Sequence, residues 1–221
     1  MTKFKIYLSV ILLPVMLSIL SACSEPPAKN TRGVYMLMDT SGTYTKELIQ
    51  AQKVINFILS NLNPGDTFAV ARVDTGSFSE KDIIAKVTFE DRPSMANQQK
   101  RAFRDKIDSF VKSVKPSRYT DITGGILQGI EYLNEAEVGH NLILIFSDLK
   151  EDLGKDYIRD IPLQLNNVSV VALNVTKLRS DNVDPREYLD RMAEWESKVH
   201  SGGGTWRVVN DMERLENILT F

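Results

Sequence analysis

The sequence predicts an α/β fold in which a doubly wound, mainly parallel sheet of six strands carries helices on both faces. Short apolar runs rich in β-branched residues alternate along the chain with longer stretches that place apolar residues at three- and four-residue spacing. The short runs indicate strands that are buried on both faces. The alternation with helices favours parallel strands joined by crossover connections.

The six predicted strands begin after a polar N-terminal segment. They cover Gly33–Met38, Thr67–Val73, Ile83–Phe89, Asn141–Phe146, Val168–Val175 and Thr205–Val209. The third strand follows the second too closely for a crossover helix, so we expect it to be an antiparallel edge strand in an otherwise parallel, Rossmann-like sheet.

The stretches between the strands predict amphipathic helices. In the second of them, Phe103 and Ile107 share one side while Lys100 and Arg104 share the other, which indicates one packed and one solvated face. The predicted helices cover Thr45–Leu62, Ser94–Val114, Ile122–Asn134, Lys155–Leu163, Pro185–His200 and Asp211–Leu219.

The N-terminus resembles a bacterial lipoprotein signal. Lys3 and Lys5 precede an apolar stretch, Ile6–Leu20, that runs into Leu-Ser-Ala-Cys ending at Cys23. The resemblance implies cleavage before Cys23 and lipidation of its thiol. We therefore expect residues 1–22 to be a signal peptide, residues 23–32 a lipidated cysteine with a short linker, and residues 33–221 one domain. An uncleaved membrane anchor is the alternative, but about fifteen apolar residues interrupted by Pro14 are short for a spanning helix.

Lipidation implies an extracytoplasmic domain anchored in the bacterial cell envelope. In bacteria with two membranes, Ser24 after the cysteine favours the outer membrane over the inner one. The linker of polar residues and prolines, residues 24–32, spans at most about 30 Å. The domain would therefore work close to the membrane surface.

Composition and charge exclude several functions. Removal of residues 1–22 would take away two of the 27 basic residues and none of the 29 acidic ones, leaving a formal charge of −4. No basic run dominates the sequence, so nucleic-acid binding is not expected. Cys23 is the only cysteine, which leaves the domain without an intramolecular disulfide.

Oxygen-bearing side chains stand where predicted strands end, and they are the candidate functional site. They are Asp39, Ser41, Thr43, Thr120 and Asp148. In doubly wound sheets, ligands bind outside the carboxyl ends of the strands near the point where strand order reverses. Hard oxygen donors suit Mg²⁺, with Mn²⁺ as a second possibility. The alternative is that Asp39 caps a helix, with Ser41 and Thr43 as turn formers.

This pattern resembles the metal-ion-dependent adhesion site of von Willebrand factor A domains, which reads D-x-S-x-S, then Thr, then Asp. The resemblance covers roughly Arg32 to Phe221. Asp39, Ser41, Thr120 and Asp148 match the motif, and Thr43 replaces the third serine while keeping a hydroxyl. The resemblance implies that these residues hold a cation whose open coordination position takes a Glu or Asp of a protein partner, without catalysis. The family usually shows T-D-G around the last Asp, whereas this chain has Ser-Asp-Leu.

Two other functions start from the same residues. The D-T-S-G-T that begins at Asp39 is similar to the D-x-x-G-T of haloacid-dehalogenase-type phosphotransferases, and Asp148–Asp152 imitates their late acidic motif. Against phosphotransfer, Ser41 stands where those phosphatases usually have a second Asp, and a helix is predicted from Thr45, which leaves little room for a cap. The remaining alternative is a structural cation site without a partner.

Several further side chains carry expectations. Asp121 is expected to cap the helix that begins at Ile122, and Trp195 to pack in the core. Arg32, Lys115 and Arg118 are candidates for basic residues at the edge of the site.

Overall fold

A six-stranded mixed sheet forms the centre of the protein. The computed structural model describes residues 30–42, 44–155 and 157–211, together with residues 213, 216 and 219. The strand order is β3-β2-β1-β4-β5-β6; all neighbours are parallel except β2 and β3, which are antiparallel. The predicted fold class and the antiparallel edge strand are confirmed. The strands are β1 (Arg32–Asp39), β2 (Thr67–Val73), β3 (Ile83–Thr88), β4 (His140–Phe146), β5 (Ser169–Leu173) and β6 (Thr205–Val209).

Helices cover both faces of the sheet, and their bounds lie close to the predicted ones. A 3-10 turn, Thr45–Glu47, leads into the first helix, and two further 3-10 turns cover Glu80–Asp82 and Ser180–Asn182. The helices are α1 (Leu48–Asn61), α2 (Pro93–Ser113), α3 (Ile122–Ala136) and α4 (Pro185–Ser201).

The alternation of side chains along β1 divides the core into two layers. Val34, Met36 and Met38 belong to the layer that packs under α1 and α2, whereas Tyr35 and Leu37 belong to the layer that packs under α3 and α4. Since all of these side chains have no exposed surface, β1 is buried on both faces. This explains its uninterrupted apolar sequence.

Glycines let α3 approach the central strand closely. A Cβ atom at Gly125 would lie 2.7 Å from Leu37 Cδ2, and one at Gly129 would lie 2.7 Å from Tyr35 Cδ1. Glycine is unfavourable inside a helix, but here the short helix-to-sheet distance requires it. This close packing fixes the position of the α3 N-terminus relative to the sheet. Thr120 lies just before that N-terminus.

The order of connections places a crevice between β1 and β4. The chain leaves β1 for β2 and β3 on one side of the sheet, and later returns to β4 on the other side of β1. The loop after β1 leads to α1 in one core layer, whereas the irregular segment after β4 leads to Leu163 in the other layer, so the two loops diverge. This reversal point is where doubly wound folds bind ligands.

The predicted helix Lys155–Leu163 is wrong. The described residues of this segment follow an irregular path without helical hydrogen bonding. Pro162 lacks a backbone N–H and disfavours a helical conformation at Ile161. Tertiary contacts also draw side chains away from a common face, because Arg159 extends to Asp121 while Leu163 is buried in the core.

Part of the sequence prediction falls outside the described residues. This holds for the signal peptide (residues 1–22), for Cys23, and for Thr43. Of the predicted terminal helix Asp211–Leu219, only residues 211, 213, 216 and 219 are described. Within the described part of the chain, no helix is both long and apolar enough to span a membrane.

The close packing of α3 predicts a large effect of Gly129→Val. The added side chain would overlap the Tyr35 ring, which is fully buried, and overpacking of this kind costs about 2 kcal/mol. Urea unfolding should show this loss. Asn134→Val, at an exposed position of the same helix, is the matched control and should change the free energy of unfolding little. Equal effects of the two substitutions would contradict the packing argument.

Candidate functional site

The structure gathers the described members of the predicted site at one edge of the sheet. Asp39 is the last residue of β1 and is fully buried, while Asp148 lies two residues beyond β4 and is 3% exposed. Ser41, Thr120 and Asp148 line one cleft of about 850 Å³ at this edge. Of the five candidate ligands, only Thr43 lies outside the described residues.

Ser147 links the ends of the two central strands. Its hydroxyl donates a hydrogen bond of 2.6 Å to Asp39 Oδ2 and accepts one of 3.0 Å from the Leu149 backbone N–H. The other carboxylate oxygen, Asp39 Oδ1, accepts a bond of 2.7 Å from the Ser41 N–H. Asp39 is therefore held from both strand ends.

Backbone hydrogen bonds join the three loops that carry the site. The loop before α3 meets the loop after β1 where the Ser117 N–H donates to the Thr40 carbonyl at 2.8 Å. The same loop meets the loop after β4 where Thr120 and Asp152 exchange two bonds, of 2.8 and 2.9 Å. The loops thus behave as one hydrogen-bonded unit, which positions Thr120 beside Asp148.

Asp121, the residue after Thr120, is held in place by contacts with α3 and with two other segments. Its carboxylate accepts a bond of 2.8 Å from the Gly124 N–H, which confirms the predicted cap of α3. The same carboxylate accepts from the Ser77 N–H and forms a salt bridge of 2.6 Å with Arg159. The irregular segment 155–163 therefore contacts the site loops through the salt bridge between Arg159 and Asp121.

The residue after Asp148 adopts a conformation that favours glycine. Leu149 has φ +65° and is 1% exposed, so a buried leucine takes the left-handed turn at the position where von Willebrand factor A domains usually have glycine. Trp195 stabilises this turn, because its Nε1–H donates a bond of 3.0 Å to the Leu149 carbonyl. The predicted core position of Trp195 is also confirmed.

Arg191 on α4 holds the Asp148 loop from behind. Its Nε–H donates a bond of 3.0 Å to the Asp148 carbonyl, while its Nη2 forms a salt bridge of 2.8 Å with Asp181. The pair is buried, with side-chain exposures of 12% and 0%. The hydrogen bond from Arg191 also lowers the pKa of Asp181. Arg191 contacts the backbone of Asp148 and leaves its carboxylate to other groups.

The two site carboxylates carry charge that no described basic side chain neutralises directly. Burial raises the pKa of Asp39, and the hydrogen bonds from Ser147 and Ser41 offset this only in part. Burial also raises the pKa of Asp148. The bond from the Lys150 N–H lowers it, the nearby Asp39 raises it, and the charges of Arg191 and Lys150 lower it without forming a salt bridge. Among the described residues, neither carboxylate forms a salt bridge.

These features fit a divalent cation. Two adjacent buried carboxylates cost free energy through desolvation and mutual repulsion unless a positive charge compensates them. The Thr120 hydroxyl has no hydrogen-bond partner among the described residues and is available as a further oxygen donor. The described residues contain no cluster of three or more Cys, His, Asp or Glu that could hold a metal. The site therefore offers mixed carboxylate and hydroxyl oxygens, a set that suits a cation retaining bound water.

Only part of the expected basic edge is correct. Arg118 lines the cleft. Arg32, in contrast, lies at the opposite end of β1, where its guanidinium binds Asp66 at 2.8 Å. The prediction failed because Arg32 begins the strand that Asp39 ends, and eight residues of extended chain separate the two ends of the sheet. Lys115 is not among the residues that line the cleft.

Sequence reasoning missed the residues that support the ligands. Ser147 had a detectable signal, since a hydroxyl residue precedes the last Asp both here and in the T-D-G of the resembling family. Arg191, Asp181 and Arg159 had none, because each lies far along the chain from the residue that it positions. Only the fold brings them to the site.

Comparisons with known proteins find similarity in structure alone. No protein-family model and no curated protein matches the chain. A von Willebrand factor type A structure from Catenulispora acidiphila is similar with a TM-score of 0.51 and 14% identity, over 86% of this chain and 41% of that one. The open conformation of the pilus adhesin SpaC from Lactobacillus rhamnosus GG gives 0.53 and 10%, over 88% and 29%.

A third similar structure contains a metal. The manganese-loaded TRAP protein of Plasmodium vivax gives a TM-score of 0.50 and 12% identity, over 85% of this chain and 72% of that one. Together these likenesses show that the chain has the fold of a von Willebrand factor A domain. The chain spans less than half of the Catenulispora structure and less than a third of SpaC.

The electrostatics of Asp39 predict opposite effects of Asp39→Asn with and without a cation. In EDTA the variant should be as stable as the wild type or more stable, because the buried charge is gone while the side-chain shape remains. Since the folded pKa is raised, the wild type should lose stability as pH rises through that pKa, and the variant should lose less. With Mg²⁺, thermal unfolding should show a stabilisation of the wild type that the variant lacks.

The control for this experiment is Asp152→Asn, which removes an exposed carboxylate that lines the same cleft. It should retain the stabilisation by Mg²⁺. An equal stabilisation of the Asp39→Asn variant would contradict the assignment of Asp39 as a ligand.

The buried pair beneath the Asp148 loop predicts that Arg191→Met destabilises the protein by about 3 kcal/mol, because Asp181 is left buried and unpaired. Urea unfolding measures this change, and the added substitution Asp181→Asn should recover part of the loss. Arg186→Met, on the same helix, breaks an exposed pair with Asp184 and should have little effect. Equal losses in the two single variants would contradict the positioning role.

Proposed function

We propose that this protein binds a divalent cation, most simply Mg²⁺, and uses it to hold an acidic residue of a protein partner. Asp39, Ser41, Thr120 and Asp148 would hold the cation together with Thr43, which the sequence motif adds. When bound, the cation would supply an electrophilic position that a Glu or Asp carboxylate of the partner can occupy. The protein's own residues would orient the cation and exclude solvent from its inner side.

One observation carries this proposal: the buried carboxylate of Asp148 lines an open cleft together with Ser41 and Thr120, a second buried carboxylate, Asp39, lies near enough to raise its pKa, and neither carboxylate forms a salt bridge. A helix cap or turn former does not need a second buried carboxylate from a different strand. A purely structural cation would be served by a closed site, whereas this one opens on a cleft of about 850 Å³. The manganese-loaded TRAP protein and the adhesin SpaC have the same fold and support this interpretation.

The cellular setting belongs to the same proposal. A lipid on Cys23 would anchor the domain to a membrane of the bacterial envelope, outside the cytoplasm, with the binding cleft within reach of other envelope proteins. The argument for this setting is the sequence of residues 1–23. Labelling with radioactive palmitate should depend on Cys23, and incorporation into a Cys23→Ala variant would contradict lipidation.

We infer that the protein is not an enzyme. Phosphotransfer of the haloacid-dehalogenase type is the main alternative, and it would need a general acid near position 41 and a cap over the site. Ser41 has no acidic function, and residues 40–44 alone connect β1 to the following helical turn. That length leaves no room for an inserted cap.

The decisive test is binding of the purified protein to a glutamate-containing peptide in Mg²⁺, in Mn²⁺ and in EDTA. Thermal unfolding in the same buffers reports occupancy of the cation site, since a ligand that binds only the folded state raises the unfolding temperature. We expect stabilisation by either cation, and peptide binding that disappears in EDTA and in Asp39→Asn. Stabilisation without peptide binding would indicate a structural cation site instead. Peptide binding that persists in EDTA would refute the proposal.

A further inference from the structure

Positively charged side chains surround the candidate site although the chain as a whole is acidic. Five basic residues line the cleft, against the carboxylates of Asp148 and Asp152, while the formal net charge of the chain is −2. We call these five the basic rim: Lys46, Arg118, Lys150, Lys177 and Arg179. A cleft with an excess of positive side chains attracts anionic ligands.

The residues of the basic rim form no salt bridges within the described part of the chain. All five side chains are exposed, and none forms a salt bridge with an acidic residue in the described part of the chain. Elsewhere the protein pairs the arginines that it packs against the fold, as in Arg159 with Asp121 and Arg191 with Asp181. Arg118 lies over the Tyr119 ring and Lys177 over the Tyr188 ring, but no rim charge is paired with a carboxylate in a salt bridge. The rim charges therefore remain accessible to a ligand.

The rim residues come from separate segments around the cleft. Lys46 lies in the 3-10 turn before α1, Arg118 in the loop before α3, Lys150 after β4, and Lys177 with Arg179 after β5. Charges spread over four loops suit several spaced anionic groups. A single phosphate is more often bound by clustered backbone N–H groups or by the paired donors of arginine, and three of the five rim residues are lysines.

From this geometry we infer that the partner presents an acidic segment in which several Asp or Glu residues flank the one that reaches the cation. The inference rests on the proposed function and adds the chemistry of the partner's surrounding surface. The basic rim would speed association and select acidic segments over isolated carboxylates. Such attraction between exposed charges weakens as salt increases.

The test compares two synthetic peptides on the purified full-length chain in Mg²⁺ buffer. One peptide has one glutamate in a glycine and serine background; in the other, acidic residues flank that glutamate on both sides. At low NaCl we expect the flanked peptide to bind about tenfold more tightly, since each exposed ion pair adds a modest contribution. High NaCl should remove most of this preference.

The rim variant carries Lys46→Gln, Lys177→Gln and Arg179→Gln, which leave the candidate ligands and their neighbours unchanged. We expect it to lose most of the preference for the flanked peptide, because its affinity for that peptide should fall more than its affinity for the single-glutamate peptide. The matched control removes the same charge from exposed positions of α2 through Arg101→Gln, Lys106→Gln and Lys112→Gln. It should keep the preference.

The outcomes separate this inference from the proposed function. A preference that survives in the rim variant or at high NaCl, or no detectable binding of either peptide, would overturn the inference. Loss of the preference in the rim variant, with binding that resists EDTA and Asp39→Asn, would support the rim and refute the cation-dependent function. As a further arm, polyphosphate that binds in EDTA and is weakened by the rim variant, when the flanked peptide is not, would assign the rim to a phosphate ligand and overturn the inference.

Discussion

The parallel pairing of β1 with β4 is the constraint on which the rest of the site depends. The two strands end side by side at the carboxyl edge of the sheet. Asp39 is the last residue of β1, and Asp148 lies two residues beyond the end of β4. Burial keeps both groups away from water, so their mutual repulsion is poorly screened. The surrounding hydrogen bonds and ion pairs hold the loops that carry the two carboxylates in place.

The supporting interactions are of two kinds. Hydrogen bonds of Ser147 and the exchange between Thr120 and Asp152 join the site loops to one another. Buried ion pairs, Arg191 with Asp181 and Arg159 with Asp121, join those loops to elements farther away. The arginines bind backbone or other acids and leave Asp39 and Asp148 without a direct counter-ion. This division of roles keeps the position for a positive charge available to a cation.

The exposed side of the cleft has a different electrostatic character from its base. The buried carboxylate of Asp148 lines the cleft, whereas the five basic rim residues that line it are all exposed. A bound divalent cation would add to the positive charge of the basic rim. An anionic ligand would then contact the cation and the rim together. Affinity would then depend on the cation, and the choice among acidic ligands on the rim. The strained turn at Leu149, held by Trp195, shows that the fold tolerates local cost to keep the Asp148 loop in place.

The sequence by itself determined the fold class and the antiparallel edge strand, and it correctly placed Asp39, Ser41, Thr120 and Asp148 at the carboxyl edge of the sheet. Their role as ligands stays a prediction. The sequence could determine this much because hydrophobic periodicity is a local property and because strand ends of a parallel sheet meet at one edge. The tertiary structure decided what depends on contacts between distant residues. It replaced the predicted helix at Lys155–Leu163 with an irregular segment whose Arg159 reaches Asp121, and it placed Arg32 at the far end of β1.

The same physical reason explains the supporting shell and the basic rim. Arg191 and the five rim residues are unremarkable charges in the sequence, because the Asp148 loop lies 43 residues from Arg191 and the rim residues come from four separate segments. Whether a charge is buried, paired or exposed is set by packing in three dimensions. Local pattern located the carboxylates, and only the folded chain showed that neither forms a salt bridge and that Asp148 shares its cleft with five exposed basic residues.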